Sequence, residues 1–177
     1  MKKNIFIGLG AIVLIAILGI GYVLLTTKSH SPYKEASANI QGVDVTIGYC
    51  QPYKKGRLLF GDESEDALQP FGTYWRLGAN EATTISFSTD VNFGGKEVAA
   101  GDYIMYAVPG KDMWDIYINT ETGRWGASEA NHDLDILKVT VPAKIADNEV
   151  EQLTITLSDE GMTIQWGKTT VFVPISK

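Results

Sequence analysis

The residues with the most chemical potential in this chain crowd into one stretch, Gly72-Thr-Tyr-Trp-Arg-Leu-Gly-Ala-Asn-Glu-Ala-Thr83. Trp75, Arg76, Asn80 and Glu81 stand there among small residues. The spacing of Arg and Trp recurs at Arg124-Trp125, and Arg57 follows Gly56. Arginine offers a planar fork that grips carboxylates and stacks on aromatic rings, whereas lysine is a solvated point charge. The part of the chain after residue 28 has nine lysines and three arginines, so its arginines look chosen for geometry. Arg57, Trp75, Arg76, Asn80, Glu81 and Trp125 are therefore the candidate ligand-binding residues. Aromatic faces with Asn and Glu suit sugars or peptide ends, and the arginines favour carboxylates. The competing reading is internal: Arg57 or Arg76 pairs with Glu81 and pins loops, a partly buried pair that is expensive to break.

Catalytic chemistry is thinly supported. Glu81 and His132 are the only candidates for an acid or base. Glu81 needs a partner and a raised pKa. His132 has Asp133 and Asp135 beside it in sequence, which says little about geometry. No Gly-x-Ser-x-Gly elbow and no phosphate loop is present. Without paired His or Cys, no transition-metal site is expected, and no cofactor is implied. Asp62-Glu-Ser-Glu-Asp66 lacks the spacing of a calcium loop and reads as a solvated face that opens a short helix. The single cysteine, Cys50, forms no intrachain disulfide and reads as a quiet thiol on a strand.

The elements that must hold these residues are strands. Val43, Val45, Ile47 and Tyr49 alternate onto one face, as do Ile85 and Phe87, then Trp114, Ile116 and Ile118, and later Met162, Ile164 and Trp166. Trp114 and Trp166 thus belong to a core. Residues 102–109 are apolar on both faces, which predicts a central strand covered on both sides. Gly94-Gly95 predicts a hairpin turn. Pro142 is expected to close a strand over 134–141, with a turn over 143–148. Many short strands with regular turn signals indicate an all-β fold, an antiparallel β-sandwich of jelly-roll-like type, over residues 36–177.

Ahead of that domain, residues 5–25 form an uncharged apolar run of 21 residues. That length suits a helix crossing a hydrocarbon core of roughly 30 Å. Residues 1–28 then read as a cytoplasmic stub and single-span anchor, with 29–35 as a tether. Lys2 and Lys3 favour a cytoplasmic N-terminus and a domain outside the cell membrane. The alternative is secretion after cleavage near Ala36-Ser37-Ala38, which lies far beyond the apolar run. From residue 29 onward the chain carries 21 acidic against 12 basic residues, a net charge of −9. Nucleic acid is excluded as a charge-driven partner, and anionic lipid is disfavoured on the same ground.

Tyr49-Cys-Gln-Pro52, Lys55-Gly-Arg57 with Phe60-Gly61, Trp75-Arg-Leu-Gly-Ala-Asn-Glu-Ala82, a 90–103 hairpin with Ala100-Gly-Asp-Tyr103, and Trp125-Gly126 occur in this order. Together they resemble the bacterial domain of unknown function numbered 2911, over about residues 31–175. The resemblance implies an exported or envelope-attached all-β protein with no established activity, and it brings no catalytic residue. The family often has a Tyr-Asp pair after Trp-Gly, where this chain has Asn131-His132-Asp133. The expectation is a membrane-attached binding or envelope-interaction module for a glycan, a peptide or an envelope protein. The alternatives are a hydrolase using Glu81 or His132, and a purely structural protein.

Overall fold

The computed structural model describes residues 13–21, 29–124, 126 and 128–177. Among the described residues there are eleven strands: β1 (Tyr33–Ile40), β2 (Val43–Cys50), β3 (Phe60–Gly61), β4 (Gln69–Pro70), β5 (Thr83–Phe87), β6 (Val91–Phe93), β7 (Lys96–Val98), β8 (Gly101–Pro109), β9 (Met113–Asn119), β10 (Asp135–Ser158) and β11 (Gly161–Ser176). Nine of them form one sheet in the order β1-β2-β5-β8-β9-β10-β11-β6-β7, every neighbour antiparallel. β3 and β4 pair separately, in parallel.

The sheet folds over at β10. Its first part pairs with β9 as far as Pro142, and its second part pairs with β11 from Ala143 onward. Register shifts between Ile145 and Thr154 bend the strand, as bulges do. β1 then lies against β10, so the two halves close as a sandwich-like fold. The Tyr49 side chain crosses between them: its hydroxyl donates to Ile155 O (3.2 Å) and accepts from Ile155 N (2.9 Å). The expected turn over 143–148 is therefore corrected to continuous strand. Pro142 lacks an N–H, yet it sits where β10 changes partner, and the next amide, Ala143 N, bonds to Asp112 O at 2.9 Å. Proline is tolerated in a strand where its missing donor is not needed.

Alternation explains the core. Val43, Val45, Ile47, Tyr49, Ile85, Phe87, Trp114, Ile116, Ile118, Met162, Ile164 and Trp166 are all buried between the layers. Each large side chain contributes roughly 1.5–3 kcal/mol on burial. β8 is covered on both faces, as its double apolar pattern predicts. Tyr103, Met105 and Ala107 join the main core, while Ile104 and Tyr106 join a second cluster with Ala82, Ala130, Tyr74 and Tyr117. Gly94 and Gly95 make the β6–β7 turn at φ 61° and 88°. β1 begins within the expected tether, at Tyr33. Most of the expected anchor falls outside the described residues. Its described part, 13–21, is helical, and among the described residues no helix is long and apolar enough to cross a membrane.

Candidate functional site

Strand pattern and turn chemistry bring the opening stretch to one end of the sandwich. Trp75 bridges to Ala107 of β8 through both backbone bonds, N to O at 2.8 Å and O to N at 2.9 Å. That places its side chain inward. It stacks on Trp166 (5.8 Å, 12°) and meets Trp114 and Phe60 edge-on at 5.7 and 5.5 Å. Trp75 is 6% exposed. It is a core residue, and only its rim reaches the surface. Tyr74, its neighbour, points to the opposite face and packs in the second cluster against Tyr106.

The turn that follows is strained. Leu77 and Asn80 both hold positive φ, 57° and 59°. Asn tolerates that region, but a buried leucine there costs on the order of 1–3 kcal/mol. Thr83 Oγ1 donates to Leu77 O at 2.9 Å and secures the turn from beneath. Gly126 N donates to Asn80 O at 3.1 Å, and a Cβ on Gly126 would come within 2.7 Å of that oxygen and 2.9 Å of Arg76 Cδ. The two Arg-Trp segments thus meet, and they meet because residue 126 is glycine. Trp125 itself lies outside the described residues.

A cleft of about 610 Å³ opens beside this turn. Arg57, Trp75, Arg76 and Asn80 line it, together with Lys55, Tyr53, Tyr74, Gln69 and Trp166. No aspartate or glutamate is among its described lining residues. Lys55 and Gly56 form a tight turn with φ of 49° and 69°. Arg57 closes that turn, donating Nε to Lys54 O (3.0 Å) and Nη2 to Tyr53 O (2.5 Å). Arg76 is half-buried, and among the described residues it makes no hydrogen bond and no ion pair.

The expected pairing of Arg57 or Arg76 with Glu81 is accordingly corrected. Arg57 is occupied by backbone carbonyls of its own turn. Glu81 points the other way and accepts a hydrogen bond from Cys50 Sγ at 3.2 Å. Burial, then the neighbouring Glu81 carboxylate, pushes the Cys50 thiol up to about 11. The thiol is protonated at neutral pH, consistent with a quiet residue at the end of β2.

His132 belongs to a different constellation on the outer side of β8. Tyr106 donates its hydroxyl to Asp135 Oδ2 at 2.5 Å and lies 2.8 Å from His132 Nδ1. With the phenol proton directed to Asp135, His132 donates from Nδ1. Asn119 Nδ2 reaches Asp135 Oδ1 (2.7 Å) and Asn131 O (2.8 Å), and Asn119 Oδ1 accepts from Glu121 N (2.7 Å). Burial first, then Asp135, holds the Tyr106 phenol far above the ordinary tyrosine range. Tyr117 stacks on Tyr106 at 4.6 Å. The network ties the 120–134 loop to the sheet, and His132 does not line the cleft. Arg124 is also committed there: it donates to Ser128 O (2.9 Å) and Ser128 Oγ (2.6 Å) and lies 3.6 Å from Glu121.

Residues 31–175 match the family described as protein of unknown function (DUF2911). The chain belongs to that family. Comparison with curated proteins and with solved structures gives no match. In this DUF2911 domain, the sequence blocks that carried the resemblance converge. Cys50 touches Glu81, Gly126 touches Asn80 and Arg76, and Lys55-Gly-Arg57 forms the cleft rim. Ala100-Gly-Asp-Tyr103 turns into β8, with the Tyr103 hydroxyl donating back to Ala99 O at 3.0 Å. Sequence reasoning missed Tyr53, Lys55, Gln69 and Tyr74 as cleft residues. The Lys55-Gly-Arg57 block was visible, but nothing in it told which surface the turn faces.

Proposed function

We propose that this DUF2911 domain is a binding module whose cleft holds an anionic ligand. The observation that carries this reading is the lining itself. Lys55, Arg57 and Arg76 border one cleft with no carboxylate among its described lining residues, while Glu151 Oε1 accepts from the Lys55 backbone N–H at 2.7 Å outside that lining, in a domain whose acidic residues outnumber its basic ones. Charges that a protein does not neutralise internally raise the local concentration of opposite charge. The edge of Trp75 that reaches the surface and the half-buried Tyr53 add aromatic contact, which suits a sugar acid, a peptide terminus or an envelope component. Residues 13–21 support display from a single-span anchor: Ile15, Leu18 and Ile20 of that helix are more than 60% exposed, apolar surface that a bilayer would cover.

A hydrolase has less support, because Glu81 faces Cys50 and His132 is tied up with Tyr106. The test is an array of acidic glycans and peptides probed with the wild type, Arg76→Ala and Glu81→Gln. Binding that is lost in Arg76→Ala and kept in Glu81→Gln is expected. Binding indifferent to Arg76 would remove the cleft from the function.

A further inference from the structure

The cleft lies where the chain arrives from its N-terminal segment. Ser31 lines it, Asn80 Nδ2 approaches Ser31 O at 3.4 Å, and Gln51 N bonds to Pro32 O at 2.9 Å. Only five residues, 26–30, separate Leu25, the end of the apolar run, from Ser31. Even fully extended they span about 20 Å. If the run lies in a bilayer, the cleft cannot be farther than that from its surface.

The rim carries two exposed leucines beside its cations. Leu58 is 48% exposed and Leu68 is 41% exposed, and the two are joined by Leu68 N to Leu58 O at 2.9 Å. Leu68 itself lines the cleft, and Leu58 follows Arg57 directly. Exposed apolar side chains beside cations are what a protein uses at the headgroup boundary: the leucines enter the acyl edge and the cations hold phosphate.

We propose that the cleft takes the headgroup phosphate of an anionic phospholipid from the same bilayer that carries the chain. Leu58 and Leu68 rest at the boundary, and Arg76 and Arg57 face the phosphate. This deepens the anion-binding reading and rests on it. The acidic charge of the domain as a whole argued against anionic lipid. That argument averages over the surface, whereas charges beyond a screening length of about 8 Å are largely hidden from the ligand. Asp62, Glu63, Glu65 and Asp66 lie between Leu58 and Leu68 in the chain and Glu149 pairs with Lys54, so the attraction for the phosphate comes from Arg76 and Arg57 at the cleft and not from a cationic face.

The experiment uses the full chain in bilayer nanodiscs of phosphatidylcholine, or of phosphatidylcholine and phosphatidylglycerol in equal parts. The readout is the rate of tryptic cleavage after Lys55, which is exposed on the turn. Slower cleavage in the anionic discs is expected, reversed by high salt. Arg76→Ala should weaken the protection by roughly five-fold, the effect of one cation near an anionic surface. Leu58→Ser with Leu68→Ser should weaken protection by discs while leaving protection by soluble glycerol phosphate unchanged. Equal cleavage in both discs, with protection by soluble glycerol phosphate, would overturn the lipid proposal and leave the anion cleft standing. Protection by an acidic peptide but by no lipid would overturn it in favour of a peptide ligand. No protection by any anion would overturn both readings.

Discussion

Two polar-aromatic regions lie on either side of β8, and they treat their polar groups in opposite ways. Around Tyr106, the Asp135 oxygens, the His132 Nδ1 and the Asn119 amide are matched within the molecule. At the cleft, Arg76 stands half-buried with no partner among the described residues, and Lys55 and Arg57 face the same space. A buried network must be fully satisfied because the low dielectric makes any orphan costly. A partly exposed guanidinium is kept solvated by water and can wait for a ligand. The contrast separates a satisfied lock from the cleft proposed to bind an anion, with His132 in the first and Arg76 in the second.

That contrast can be broken by stability measurements. Trp75→Ala removes a core ring that four-ring packing encloses, and a loss of about 3–5 kcal/mol in denaturant unfolding is expected. A loss under about 1 kcal/mol would return Trp75 to the surface and undo the two-region picture. Tyr106→Phe leaves Asp135 and His132 without their shared hydroxyl, and about 1–3 kcal/mol should disappear. Its pH dependence gives a second check. The raised phenol favours the folded state fully below the unfolded tyrosine value of about 10, and that stability is lost as pH rises above it. The wild type should therefore lose stability in that alkaline range, and Tyr106→Phe should show a shallower decline.

Smaller effects sharpen the cleft side. Cys50 should react with iodoacetamide at pH 8 far more slowly than in the unfolded chain, since its thiol is held at about 11. Glu81→Gln removes the carboxylate that helps hold it there, so labelling should quicken. Unchanged labelling would mean that burial alone protects the thiol. The smallest effect on stability is expected for Arg76→Ala, within about 0.5 kcal/mol of wild type, together with the largest loss of anion binding. A melting temperature that drops sharply with this change would make Arg76 structural and collapse the distinction from the Tyr106 network.

The strands were readable because period-2 alternation is a local property. Val43 to Tyr49 and Trp114 to Ile118 show it plainly, and the double apolar run of β8 announced a strand covered twice. Pro142 misled for the same reason: locally it reads as a stop, and only the change of partner from β9 to β11 makes it tolerable. Arg57, Trp75, Arg76 and Asn80 were picked out by residue type, and the cleft does gather them. Their roles were not readable. Whether Arg76 meets Glu81 depends on which way Glu81 turns, and it turns to Cys50, far back in the chain.

The sequence by itself determined the all-β class, the acidic balance, the apolar run at residues 5–25 and the DUF2911 membership. Each of these follows from composition, periodicity or blocks of neighbouring residues. The tertiary structure alone decided that Trp75 is core, that Gly126 docks against Asn80 and Arg76, that His132 is bound into a satisfied network, and that three cations border one cleft with no carboxylate among its described lining residues. Those facts depend on contacts between residues tens of positions apart, and the folding of β10 from one layer to the other is what brings Trp166 of β11 onto Trp75.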